Sequence, residues 1–226
     1  MDILLDWDRR LLLTLNGSDS PFWDSVMMSI TQTVVWIPLA LALLYIMAKN
    51  VNLRQLILFV LMMAVLILIT DRVSSGLVKP FVHRFRPTHE PGLADLVDVC
   101  RGYRGGLYGF FSSHAANTFG LSIFASMVIR STKSTVTLVS WALLSSYSRI
   151  YLGVHYPGDI LCGALFGMAV GVVLYRLYSC LLRKIGEPAQ TLSPERTATG
   201  ILKRDIIWLP MVFIITLMVI GIYALL

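Results

Sequence analysis

The stretch IIWLPMVFIITLMVIGIYALL, residues 206–226, contains no charged side chain. Its 21 residues, at about 1.5 Å rise each, make about 31 Å of helix, enough to cross the hydrocarbon core of a bilayer. Further apolar runs lie at about 27–48, 55–77, 113–129, 136–151 and 157–178. Only 14% of the chain is charged and 56% is hydrophobic, too little charge to cover a soluble domain of this size. The expected fold is all-α: a polytopic membrane helical bundle of about six transmembrane spans, in a single domain over residues 1–226.

The polar segments divide these runs. Residues 1–22 form an amphipathic N-terminal segment with Leu4, Trp7, Leu11 and Leu15 on one helical face. A helix lying in the membrane interface and a helix packed on the bundle fit that pattern equally well. The start, MDILLDWDRR, is acidic and has no basic n-region, so no cleaved signal peptide is expected. Ser20 and Pro21 read as an N-cap and first helical position, and Pro38 as a kink in the first span. Residues 179–205 form a polar linker. Six spans put residues 176–205 and the turns at 49–54 and 130–135 on one side, with ten Lys and Arg against nine on the other. Setting aside Lys79, Arg86 and Arg149, which a substrate would explain, leaves ten against six, so the linker is expected in the cytoplasm. The three cysteines, Cys100, Cys162 and Cys180, are an odd, scattered set with neither a disulfide framework nor zinc spacing.

On the other side three clusters converge: KPFVHRFRP (79–87), FSSH (111–114) and SRIYLGVHYPGD (148–159). Ionisable groups beside hydrocarbon are expensive and mark a functional site. Cations, hydroxyls, two histidines and a carboxylate suit phosphoryl transfer, where catalysis is mainly positioning and charge stabilisation. Arg86 and Arg149 can bind phosphate oxygens bidentately and Lys79 adds a point charge. Ser112 and Ser113 open a helix whose backbone N–H groups can face an anion. Two histidines allow one to attack phosphorus and the other to protonate the leaving oxygen. Asp159 lies four residues after His155, within reach of its imidazole.

These clusters resemble those of the type 2 phosphatidic acid phosphatase superfamily, whose pattern is KxxxxxxRP, then PSGH, then SRxxxxxHxxxD. The first and third are complete here, while Phe111 and Ser113 replace the proline and glycine of the second. The resemblance covers about residues 55–178. It implies His155 as nucleophile, Asp159 orienting it and His114 as general acid. It implies that Lys79, Arg86, Ser112, Ser113 and Arg149 hold the phosphate, with no metal and no cofactor. A phosphorylated lipid in the membrane is the implied partner, with no nucleic acid. A bacterial inner membrane with the site facing the periplasm follows from family habit. Among lipids, undecaprenyl diphosphate is favoured slightly over lipid A, then phosphatidylglycerophosphate and phosphatidic acid. A transporter or non-catalytic lipid-binding protein is the rival class, and a soluble-substrate phosphatase a second.

Other residues have plainer readings. Arg72, Arg130 and Arg176 read as headgroup anchors, and His83 and His89 as interfacial or packing residues. Arg84, Arg101 and Arg104 either steer an anionic headgroup or form a solvated loop face. Gly163, Gly167 and Gly171 make a GxxxGxxxG stripe suited to close packing within the bundle.

Overall fold

Small residues decide how this bundle closes. The computed structural model describes residues 2–184 and 193–226. In chain order its helices are α1 (Asp2–Leu15), α2 (Pro21–Ile30), α3 (Ile37–Asn50), α4 (Leu53–Asp71), α5 (Lys79–Val82), α6 (Ser113–Ile129), α7 (Thr132–Tyr151), α8 (Pro157–Lys184) and α9 (Trp208–Leu225). The tightest pair is α6 with α8. A Cβ placed on Gly167 would stand 2.0 Å from the Ala116 carbonyl oxygen, and one on Gly171 2.6 Å from that of Gly120. The glycine stripe of α8 therefore lies against the α6 backbone, inside the bundle. At the seam's end the Ser112 N–H donates to the Asp159 carbonyl at 3.1 Å, which ties the second motif to the third.

Among the described residues four helical stretches are long and apolar enough to cross a bilayer: Thr33–Asn50, Leu53–Val82, Pro157–Lys184 and Asp205–Leu225. The other two expected spans, α6 and α7, fall short of that measure. The first has 17 residues and the second carries Ser and Thr along its length. α6 is enclosed by other helices, with Ala115, Ala116, Phe124 and Ala125 fully buried, while α7 buries one face and exposes Val136 and Leu143 on the other. The outer faces of α4, α8 and α9 expose Ile57, Leu68, Leu161, Val173, Met218 and Ile222, as a lipid-facing surface requires.

The first expected span is not one continuous helix. It breaks between α2 and α3, where Thr31 and Gln32 precede a 3-10 turn over Thr33–Trp36. Trp36 Nε1 donates to the Ile30 carbonyl at 2.8 Å and satisfies one of the groups the break frees. Pro38 then sits in the first turn of α3, where its missing N–H is harmless, so it starts a helix and does not kink one. The second expected span runs longer than its apolar stretch. A π-helical segment over Arg72–Val78 joins α4 to α5, a distortion common at functional sites.

The N-terminal helix combines both readings of its pattern. Leu12 is fully buried against the bundle, while Leu4 and Trp7 stay largely exposed. Of the 179–205 linker, 179–184 extend α8, 185–192 lie outside the described residues, and Arg196 pairs with Leu202 in an isolated bridge.

Candidate active site

The loop from 83 to 112 is folded back so that its two ends meet. Arg86 N–H donates to the Leu107 carbonyl at 3.0 Å and Gly109 N–H to the Arg84 carbonyl at 2.9 Å. This neck brings the first motif against the residues just before the second. Gly109 is the closest point: a Cβ there would stand 3.1 Å from Asp159 Oδ2, 3.1 Å from Arg86 Cγ and 3.5 Å from His155 Nδ1. A side chain at this position would push into the cluster.

The cations arrive from three elements. Lys79, after the π segment, donates from Nζ to Ser113 Oγ at 3.0 Å. Ser74 and Ser75 of the π segment also reach Ser113 Oγ, at 2.8 and 3.1 Å. Arg86 is held by backbone carbonyls, with Nε on Tyr108 and Nη1 on Val154, each at 3.2 Å. Arg149, 3% exposed, donates to Thr31 Oγ1 and, at 3.2 Å, to the Tyr103 hydroxyl. Its buried Nε has no partner among the described residues. Burial, and then the nearby Arg149 charge, push Arg86 down to about 10. Arg86 and Arg149 are held by carbonyl and hydroxyl oxygens and not by a carboxylate among the described residues, which leaves them a ready seat for an anion.

His155 is 1% exposed and lies between α7 and α8. Burial first, and then Arg86, Arg149, Lys79 and His114, hold it well below 6.5, so the ring is neutral at ordinary pH. Its Nδ1 lies 3.4 Å from Asp159 Oδ2. The same carboxylate oxygen accepts from the Tyr156 N–H at 3.1 Å. That arrangement turns Nε2 away from Asp159. His114, in the first turn of α6, lines a cavity with Thr31, Asp71, Asn117 and Trp141.

Seven of the eight expected residues thus form one cluster with available donor or reactive groups. Ser112 differs. Its N–H is committed to the Asp159 carbonyl and its hydroxyl caps α6 by accepting from the Ala115 N–H at 3.4 Å. The reading that its backbone faces an anion is corrected accordingly. Ser113 and His114 are the N–H groups that begin α6.

Several contributors escaped sequence reasoning. Arg84 is neither a steering charge nor a solvated one: it donates to Asp159 Oδ1 at 2.8 Å and to Asp8 Oδ2 at 2.7 Å, and stacks 4.0 Å over the Tyr156 ring. Burial alone would lower its affinity for the proton, but Asp159 and then Asp8 outweigh that and raise it. Asp8 also accepts from the Gly158 N–H at 2.7 Å, fastening α1 to the start of α8. Thr31, Tyr103, Ser74 and Ser75 carry no motif signal, since each becomes a site residue only through long-range contact. Of the residues given plainer readings, Arg72 and Arg130 are exposed, His83 caps α5 with its ring 4.8 Å from that of Tyr108, and Arg104 donates to the Thr88 carbonyl at 2.9 Å. The three cysteines are unpaired. Among the described residues no three His, Cys, Asp or Glu side chains are grouped as metal ligands.

The chain is similar to known proteins in sequence and in fold. The sequence pattern of the PAP2 superfamily matches residues 55–182. The lipid A 4'-phosphatase of Bacteroides thetaiotaomicron is 42% identical over 77% of this chain and 78% of its own. That of Porphyromonas gingivalis is 38% identical over 79% of this chain and 75% of its own. The undecaprenyl-diphosphatase BcrC of Bacillus subtilis matches at 36% identity over only 33% of this chain and 37% of its own. Among solved structures, LpxE of Aquifex aeolicus shares the fold with a TM-score of 0.55 at 23% identity, covering 74% of this chain and 93% of that one. The chain belongs to the PAP2 superfamily and is a membrane lipid phosphatase.

Proposed function

We propose that this PAP2 superfamily member removes the 4'-phosphate of lipid A through a phosphohistidine on His155. The observation that carries the substrate is the identity of 42% and 38%, each over more than three quarters of the chain, to two lipid A 4'-phosphatases. The undecaprenyl diphosphate favoured by the sequence alone has a relative matching only a third of the chain behind it.

In this reading Lys79, Arg86 and Arg149, with Ser113 and the opening of α6, hold the non-reacting phosphate oxygens. Nε2 of His155 attacks phosphorus while Asp159 steadies the ring from Nδ1. The bond from phosphorus to the sugar oxygen breaks as His114 protonates that oxygen. Water then gives a proton to His114 and attacks phosphorus, the P–N bond breaks, and inorganic phosphate leaves with His155 restored. Ser112 serves by capping α6. A site at the ends of the helices lets acyl chains stay in lipid while the headgroup reaches the cations. We place that end at the periplasmic face of a bacterial inner membrane, supported by the ten-against-six split of Lys and Arg outside the site.

The test is phosphate release by the purified chain in detergent with EDTA. Lipid A, undecaprenyl diphosphate, phosphatidylglycerophosphate and phosphatidic acid are run side by side, with His155→Ala as control. Fastest release from the 4' position of lipid A, absent in the variant, is expected. Normal release by His155→Ala would remove it as nucleophile, and preference for another lipid would move the chain to that substrate.

A further inference from the structure

The cavity beside His114 measures about 260 Å³, and of the residues in the three motifs only His114 lines it. Asp71, Asn117, Thr31, Trp36 and Trp141 line it with His114. A smaller void of about 60 Å³ shares Trp36, Leu121 and Trp141 with it and adds only apolar neighbours, including Leu39, Leu43, Met63 and Leu138. The cavity is thus polar at the His114 end and apolar beyond. The break between α2 and α3 supplies Thr31, Thr33 and Trp36 to its wall, and irregular backbone within a membrane bundle persists where it is buried or lines a cavity.

Asp71 is the feature that needs explaining. A carboxylate within a membrane-spanning helix is expensive, yet Asp71 forms no ion pair among the described residues. Asn117 Nδ2 donates to Asp71 Oδ1 at 3.0 Å, and the Lys79 charge attracts the carboxylate from beyond ion-pair distance. The Asn117 amide is itself oriented by the Thr70 hydroxyl, which donates to its Oδ1. A carboxylate offers about four acceptor positions, so most of this one stays available. Across the cavity the buried Nε1 of Trp141 has no partner among the described residues. An under-used acceptor and an unpartnered donor on one cavity's walls call for a polar ligand.

The reaction geometry says which part of the substrate that is. In-line displacement puts the leaving oxygen opposite the attacking His155, and the group that protonates it stands beside the leaving alcohol. We propose that this cavity is the leaving-group subsite, where Asp71, oriented by Asn117, accepts a hydrogen bond from a hydroxyl of the alcohol that loses its phosphate. The inference rests on the His155 and His114 roles given above and narrows the substrate to a phosphomonoester of a hydroxyl-bearing alcohol, such as a sugar, whose leaving oxygen is not itself on phosphorus. A diphosphate fits poorly, because its leaving group is itself a phosphate and would face the Asp71 carboxylate. The volume is below the roughly 300–1,000 Å³ of a pocket for a whole drug-sized ligand. It suits one ring of a headgroup and excludes the acyl chains.

The experiment measures kcat/KM of the full chain and of Asp71→Asn on lipid A, phosphatidylglycerophosphate, phosphatidic acid and undecaprenyl diphosphate. The first two carry hydroxyls on the leaving group, the third carries none, and the fourth leaves as an anion. Asp71→Asn keeps the shape and should lower the lipid A to phosphatidic acid ratio about ten- to hundred-fold, since a hydroxyl loses its charged acceptor. The ratio of undecaprenyl diphosphate to phosphatidic acid should rise in the same variant. Asn117→Leu should move the first ratio in the same direction, provided its melting temperature holds near wild type. Equal losses on every lipid would show a structural tie between α4 and α6 and overturn the proposal, as would unchanged ratios. Wild-type turnover of phosphatidylglycerophosphate without lipid A would remove the sugar reading alone, and the hydroxyl contact would then be judged on that lipid's ratio. Turnover confined to lipids without a leaving-group hydroxyl would overturn the subsite and leave the nucleophile standing.

Discussion

Arg84 and Arg86 stand two residues apart on one loop and do opposite things. Arg84 is clamped between the carboxylates of Asp8 and Asp159, at 2.7 and 2.8 Å. Among the described residues Arg86 donates to carbonyl oxygens, and Arg149 to hydroxyls. The first is charge already neutralised and serves the framework. The second pair is charge left uncompensated, held in place by neutral acceptors that do not cancel it. A phosphate entering this side gains attraction that the empty protein forgoes, at the expense of repulsion among the buried cations.

The sharpest way to break this comparison is through activity. Arg149→Ala should lower kcat/KM by about 10²–10³, the scale for losing one preorganised donor to a transition-state anion. Arg84→Met should cost less in turnover, acting only through Asp159 and His155, and its measured loss would be in kcat more than in KM. Equal effects from both arginines would mean that the two sides are not functionally distinct. Stability should rank them the other way. Arg84→Met leaves Asp8 and Asp159 facing each other and should destabilise the protein by about 3 kcal/mol, near the lower end for breaking a buried pair. Arg86→Met removes a cation with no anionic partner and should leave the melting temperature in detergent unchanged or raised. A matching drop in both variants would contradict the assignment.

The smallest expected effect is on pH. His155 is held well below 6.5 by burial and the uncompensated cations. Below 6.5 the unfolded chain binds a proton there that the folded chain resists. Stability is therefore fully present above 6.5 and is lost as pH falls, by up to about 1.4 kcal/mol per pH unit for one such group. Arg86→Met removes one of the repelling charges and should make the acid-side slope of the melting temperature shallower. An unchanged slope would show that the cations do not set the state of His155. For turnover, the acid limb of kcat/KM that belongs to the free nucleophile should lie well below pH 6.5.

Much of this was legible in the residues. The helices begin where Pro21, Ser112 and Pro157 say they do, because capping and proline geometry act within one turn. The glycine stripe of α8 announced a close helix contact, because only glycine allows it. The three motifs singled out Lys79, Arg86, Ser113, His114, Arg149, His155 and Asp159 through residue type, spacing and family resemblance. Their spacing could not separate Ser112, whose N–H goes to Asp159, from Ser113.

Sequence by itself determined a membrane bundle and a phosphate chemistry, since apolar length and short-range motif spacing are local properties of a chain. Tertiary structure alone decided which arginine is neutralised, because Asp8 reaches Arg84 across 76 positions. It also decided that the first expected span breaks at Thr31 to meet Arg149, 118 positions away, and that Asp71 faces a cavity beside His114. Charge compensation and cavity shape depend on which helices come to lie together, and no pattern within one helix encodes that.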